Sequence, residues 1–397
     1  MNIPASKATR AVRASIESDA QHGAVVPPLH LSSNFAFAGF GDKREYDYTR
    51  SGNPTRDALA DALADLEGGA GAVVTSSGMA ALTLLTQFLE PGDTIIAPHD
   101  CYGGTFRLFE QQSKKGLFEV LFVDQTDTAA LLEAAKCGPK IILTETPSNP
   151  LLRVVDLKVI ATIASDAGAL FAVDNTFLSP ALQNPIEHGA DLVIHSTTKY
   201  INGHSDVVGG CVVAASEELA ERITYWANCI GVTGAPFDSF MTLRGIRTLH
   251  PRIRLHEENA TAIAHVLNNH DQVSRVYYPG LESHPGHDIA KRQQQGFGGM
   301  ISFEINGGEA AVQKFVENLQ YFSLAESLGG VESLVCHPAS MTHAPVSKEA
   351  LAEAGIGDNL IRLSVGIESS EDLIADLLTA LELASTATLQ PVAAICA

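Results

Sequence analysis

Residues 169–200 read ALFAVDNTFLSPALQNPIEHGADLVIHSTTKY. Within them, 169–174 (ALFAVD) and 191–195 (DLVIH) are short apolar runs, and each gives way to a polar cluster. The first ends in Asp174-Asn175-Thr176, the second runs into Ser196-Thr197-Thr198-Lys199-Tyr200. A strand that is apolar on both faces belongs inside a parallel sheet covered by helices on both sides. The pattern repeats upstream. Apolar strands are predicted at 72–75, 94–98, 119–123 and 140–145, the last running into Thr146-Pro147-Ser148-Asn149-Pro150. Between them, apolar residues at helical spacing predict helices at 55–67, 103–115, 128–136 and 156–167, and Ser76-Ser77-Gly78-Met79-Ala80-Ala81 opens another. The alternation predicts an α/β fold around a mostly parallel central sheet.

Beyond residue 256 the texture changes. A helix at 256–268, strands at 273–279, 299–304 and 360–365, and helices at 308–318 and 369–384 form a smaller C-terminal α/β domain. Residues 1–60 read as an irregular arm, punctuated by Pro27-Pro28, Gly39, Gly41, Gly52 and Pro54 and interleaved with Phe35, Phe37, Phe40, Tyr46 and Tyr48. A long irregular segment is usually functional or packed on a partner. The expected division is an arm at 1–60, a large domain at 61–255 and a C-terminal domain at 256–397, whose tail TATLQPVAAICA is expected to be loose.

The composition excludes several classes. The chain has 397 residues, 45% hydrophobic and 18% charged, with a net charge of 26 − 46 = −20. That balance disfavours nucleic acid and anionic membranes as partners. No apolar run reaches the roughly 18 residues of a membrane span. The start MNIPASKATRAVRAS lacks the apolar core of a secretory signal. Six scattered cysteines (101, 137, 211, 229, 336 and 396) show neither zinc-ligand spacing nor a C-x-x-C pair, so no metal site is expected and a reduced cytoplasmic protein is the simplest reading. The P-loop, H-E-x-x-H, G-x-S-x-G and complete G-x-G-x-x-G motifs are absent, Gly68–Gly71 (GGAG) lacking the third glycine of the last. His99-Asp100-Cys101 invites a thiol-nucleophile reading, but neighbours in sequence do not place three side chains together.

In an open parallel sheet, ligands sit at the carboxyl ends of the strands. Asp174 ends an apolar strand, where a carboxylate is costly unless a cationic group faces it. Lys199 follows another, where a desolvated amine can act as base or nucleophile. An acid holding a protonated ring nitrogen and a lysine forming a Schiff base are the marks of a pyridoxal phosphate site. Ser77, Gly78 and Met79 open a helix whose free N–H groups favour a phosphate. Ser196 and Thr198 can add hydroxyls, and Tyr102 can lay its ring over the cofactor. Taken singly, Asp174 reads equally as a turn residue, Lys199 as a solvated lysine, Tyr102 as packing, Ser77-Gly78 as an ordinary helix start, and GHSDVVGG (203–210) as a turn and a strand. The weight lies in four such features at successive strand ends.

These segments resemble the Cys/Met-metabolism family of pyridoxal-phosphate enzymes. The resemblance is carried by DYTRSGNPT (47–55), TSSGMAA (75–81), PHDCYGG (98–104), ETPSNPLLRVVD (145–156), HSTTKYINGHSDVVGG (195–210), ESLGGVESL (326–334) and IRLSVGIE (361–368). It implies fold type I, the aspartate-aminotransferase type, with pyridoxal 5'-phosphate as cofactor. Lys199 would be the Schiff-base lysine, Asp174 the partner of the ring nitrogen and Tyr102 the stacking tyrosine. Ser77, Gly78, Met79, Ser196 and Thr198 would cradle the phosphate. Tyr48 and Arg50 would reach a neighbouring subunit's phosphate within a homotetramer of two active dimers. Arg362 would clamp the substrate α-carboxylate, with Asn149 and Ser327 near it and near the cofactor, Tyr48 would also meet the substrate, and Arg107 and Glu326 would govern side-chain selectivity. The implied reaction replaces the succinyloxy group of O-succinyl-L-homoserine by L-cysteine. Elimination at Cγ or direct sulfhydrylation on the same scaffold is the alternative, and a regulatory protein without turnover is the alternative of another class.

Overall fold

The computed structural model describes residues 5–342, 351 and 354–385. The tail at 386–397, expected to be loose, lies outside the described residues. The chain divides into two compact units: Met1–His99, Gly104–Thr146 and Asp156–Pro251 form one, and Asp100–Gly103, Pro147–Val155 and Arg252–Ala397 form the other.

The first unit holds a seven-stranded sheet. Its strands are β1 (Gly71–Thr75), β2 (Thr94–Pro98), β3 (Glu119–Val123), β4 (Ile141–Glu145), β5 (Leu170–Asp174), β6 (Leu192–His195) and β7 (Gly210–Ala214), in the order β1-β7-β6-β5-β4-β2-β3. Strands β6, β5, β4, β2 and β3 run parallel, while β7 is antiparallel to both β6 and β1. β4, β6 and β7 are buried along their whole length, as strands covered on both faces must be. Ile95, Phe109, Ile141, Leu143, Ala172, Ile194 and Val212 share one core cluster, each large side chain contributing about 1.5–3 kcal/mol by leaving water. The covering helices begin and end where local chemistry dictates. Asp156 caps Leu157–Ala167 by accepting from Lys158 N and Val159 N, and Gly168 closes that helix at φ 68°.

Two expectations change. Residues 1–60 are not irregular up to the helix expected at 55–67: Ser6 caps a helix at Lys7–Arg13, while the expected helix stands at Pro54–Glu67, capped by Asn53 with Pro54 in its first turn. The helix expected at 256–268 spans Leu249–Asn268. Its early start escapes notice because Pro251 stands in the first turn, where a proline's missing N–H would have had no acceptor anyway.

The second unit carries a five-stranded sheet of β8 (Val273–Tyr277), β9 (Met300–Ile305), β10 (Ser323–Leu324), β11 (Leu334–Cys336) and β12 (Leu360–Ser364), ordered β10-β11-β12-β9-β8. All pairings but β10–β11 are antiparallel. Tyr278, Phe303, Phe315, Ile361 and Leu363 belong to its core. Among the described residues no helix is long and apolar enough to cross a membrane.

Candidate active site

In the first unit the sequence-predicted residues gather at the carboxyl ends of the strands. Asp174 is the last residue of β5, and its neighbour across the ladder is Ile194 of β6. Burial pushes its carboxyl pKa up, against hydrogen bonds from Thr176 and the proximity of His195. Thr176 N donates to its Oδ1 at 3.0 Å. Asp174 keeps part of its surface open and forms no ion pair with a described residue. A carboxylate so placed is short of a cation.

The turn after β6 carries Lys199, which is half-buried. Its backbone is fixed independently of its side chain, since Lys199 N donates to Ser196 O at 3.2 Å and Gly203 N donates to Lys199 O at 2.8 Å. After β1, Ser77 caps the helix Gly78–Leu85, accepting from Ala80 N. The N–H groups of Gly78 and Met79 stand in the first turn and have no acceptor in the helix. Ser196 lies against that turn: a Cβ on Gly78 would come within 2.8 Å of Ser196 Cβ. The Thr198 hydroxyl is engaged with Gly209, donating to its O at 3.2 Å and accepting from its N at 3.0 Å.

Gly210, which opens β7, and Gly209 just before it are demanded by this crowding. A Cβ on Gly210 would stand 2.2 Å from Ser77 O, and one on Gly209 would stand 2.5 Å from Thr197 Oγ1. Gly210→Ala is therefore expected to push the Ser77 backbone outward and to weaken cofactor binding about tenfold in a titration of the apoprotein.

Sequence reasoning missed what fixes this floor. Glu67 and His195 are both fully buried. The Glu67 carboxylate accepts from Asn175 Nδ2 at 2.9 Å, from Asn184 Nδ2 at 3.2 Å, and from His195 Nε2 at 2.6 Å. Asn175 follows Asp174 and His195 precedes Ser196, so one carboxylate pins the neighbours of two site residues. The sequence signal was a glutamate ending an apolar helix just before Gly68, followed by a histidine ending an apolar strand.

Arg50 donates from Nη1 to Asn228 O at 2.7 Å and Oδ1 at 2.6 Å, with its guanidinium 5.7 Å from the ring of the exposed Tyr48. Arg107 is exposed on the helix Gly103–Lys114.

The second unit holds a separate group. Arg362, in the middle of β12, is buried. Its Nη1 donates to Asn149 Oδ1 at 2.8 Å and its Nη2 to Ser327 O at 2.9 Å, while its buried Nε has no partner among the described residues. No described carboxylate pairs with it. Ser327 reaches it with φ 89°, a left-handed conformation that costs a non-glycine residue energy and often marks function. Tyr102 and Glu326 are exposed. Asp100 and Cys101 of the HDC triplet also belong to this unit, and Cys101 is buried. Among the described residues no group of His, Cys, Asp or Glu is arranged to hold a metal.

The first unit thus offers a desolvated acid short of a cation, a helix start with free N–H groups, and a half-buried amine after the adjacent strand. A flat cationic ring with an anionic tail and an aldehyde suits all three, and pyridoxal 5'-phosphate has that build. The fold and these residues define a pyridoxal-phosphate-dependent enzyme of fold type I. The family described as Cys/Met metabolism PLP-dependent enzyme matches residues 8–382, and the chain belongs to it. It is 56% identical over 372 residues to the cystathionine gamma-synthase of Escherichia coli (strain K12), covering 94% of this chain and 96% of that one. It is 52% identical over 375 residues to a cystathionine beta-lyase of Lactococcus lactis subsp. cremoris, covering 94% and 98%. The crystal structure of cystathionine gamma synthase from Xanthomonas oryzae pv. oryzae in complex with cystathionine matches with a TM-score of 0.96 at 61% identity, covering 98% of this chain and 100% of that one.

Proposed function

We propose that the enzyme replaces the succinyloxy group of O-succinyl-L-homoserine by L-cysteine, giving L-cystathionine and succinate. The observation that carries this reading is the 61% identity, over nearly the whole chain, to a synthase solved with cystathionine. The C–O bond at Cγ breaks, a C–S bond forms, and the thiol proton of cysteine balances the carboxylate released. The bound cofactor supplies an electron sink for negative charge developing next to the amino group. Lys199 takes the Cα proton on Nζ, and Lys199 or the Tyr102 hydroxyl moves the proton at Cβ. Asp174 keeps the ring nitrogen protonated. Gly78 and Met79 N–H groups, with Ser77 and Ser196, hold the phosphate. Arg362 grips the α-carboxylate, with Asn149 and Ser327 orienting its fork, and the exposed Arg107 and Glu326 select the side chain.

The deciding experiment supplies O-succinyl-L-homoserine with and without L-cysteine. Cystathionine is expected to dominate when cysteine is present, and 2-oxobutanoate dominating even then contradicts the synthase reading. Lyase chemistry is the second reading, favoured by the beta-lyase relative at 52% identity.

Removing the guanidinium tests the carboxylate grip. Arg362→Ala is expected to lower kcat/KM about a hundredfold, because two charge-assisted bonds to the substrate are lost together. Arg362→Lys keeps the charge without the planar fork and should recover only part of the loss. A cytoplasmic homotetramer of two active dimers, with Tyr48 and Arg50 of the arm reaching the neighbouring subunit's phosphate, completes the proposal. The exposure of Tyr48 supports that role for the arm.

A further inference from the structure

Asp100, in the HDC triplet, has no part in the chemistry proposed so far, yet it sits at the root of the carboxylate grip. Its carboxylate is buried and Oδ2 accepts from Ser148 Oγ at 2.6 Å and from Arg153 Nη1 at 3.0 Å. Ser148 immediately precedes Asn149, whose Oδ1 accepts from Arg362. The Asn149 turn is tied within itself as well: Ser148 N donates to Arg153 O at 3.0 Å and Leu152 N donates to Ser148 O at 2.9 Å. From the sheet, Ser302 Oγ donates to Pro150 O at 2.6 Å, and Ser302 is the ladder neighbour of Arg362. Arg153 Nη2 donates onward to Ala354 O at 2.8 Å. The turn therefore rests on Ser302 at one end, and Asp100 grips its other end at Ser148 and Arg153 together.

We propose that Asp100 is a positioning residue for the carboxylate grip: by holding Ser148 and Arg153 on one oxygen, it fixes the aim of Asn149 at Arg362 and so presets the guanidinium fork for the substrate's α-carboxylate. A charge-assisted pair of bonds holds a turn more firmly than neutral bonds do, and orientation errors of about 1 Å in such a fork are costly. The inference rests on the reading of Arg362 as the carboxylate grip.

The test uses the holoenzyme and two probes of one carbon skeleton, L-norvaline and n-butylamine, which differ by the carboxylate. Binding is measured by calorimetric titration. Asp100→Ala is expected to weaken norvaline about tenfold and the milder Ser148→Ala about threefold, with butylamine changed less than about twofold in either. Equal weakening of both probes, or no weakening of norvaline, overturns the proposal. Should Asp100→Ala fail to fold, Ser148→Ala carries the same comparison. Arg362→Ala is run beside them. If it fails to weaken norvaline selectively, the carboxylate grip itself is misassigned. If it does weaken norvaline selectively while Asp100→Ala and Ser148→Ala do not, Asp100 alone is misassigned.

Discussion

Lys199→Ala is expected to lower turnover by about ten-thousand-fold or more, since in the proposed mechanism one group serves as both covalent anchor and proton carrier. The fold should survive the change. The turn from Ser196 to Gly203 is held by backbone bonds, Lys199 N to Ser196 O and Gly203 N to Lys199 O, that do not involve the amine. The variant should therefore unfold near the wild-type midpoint while losing the visible absorption of the lysine-bound cofactor. Lys199→Arg should not restore activity, because a guanidinium stays protonated and cannot accept the Cα proton. Turnover within tenfold of wild type in Lys199→Ala would mean that another group carries the chemistry.

Glu67→Ala is expected to cost about 3 kcal/mol of stability, the range found when one partner of a buried polar pair is deleted. Its loss falls unevenly. Asn175 Nδ2 also donates to Gln183 O at 2.8 Å, and Asn184 Nδ2 to Leu66 O at 2.9 Å, so both amides keep an acceptor. Among the described residues His195 has no second acceptor to turn to: its Nδ1 is already buried without a partner, so losing Glu67 strands both ring nitrogens. Glu67→Gln retains an oxygen for Nε2 and should cost about 1 kcal/mol. Chemical denaturation of the apoprotein checks both values, and a double-mutant cycle with His195 isolates the pair. A cost below about 1 kcal/mol for Glu67→Ala would show that the pair does not anchor the floor of the site.

Much of the fold was readable because its signals are local. Leu157–Ala167 announces itself with Asp156 before it and Gly168 after it, and the short apolar runs of β4, β5 and β6, bounded by polar turns, fit interior strands. The helix Leu249–Asn268 was read short because Pro251 resembles a boundary when it stands in a first turn. The role of Gly209 and Gly210 was hidden for another reason. At Gly210 the lack of a side chain matters only once β7 lies beside β1 and brings Ser77 O close, and at Gly209 only once the turn after β6 brings Thr197 Oγ1 close; such tertiary contacts leave no periodicity to read. Glu67 and His195 are hidden in the same way, since each is an ordinary polar residue until the two strands and the helix meet. Asp174 and Lys199 stand out in the sequence because a charged residue at the end of an apolar strand, or in the turn that follows one, calls for an explanation by itself. Arg362 also interrupts an apolar strand, yet only resemblance to a known family had given it a role. What marks it in the structure is the absence of any described carboxylate beside a buried guanidinium.

The covalent anchor is the claim on which the remaining assignments depend. Borohydride reduction of the holoenzyme, followed by proteolysis and mass spectrometry of the peptides, locates it directly. The expected result is a single pyridoxyl adduct, on the peptide that contains HSTTKY (195–200) and borne by Lys199. An adduct on any other lysine, or no adduct in protein that retains its cofactor, would contradict it.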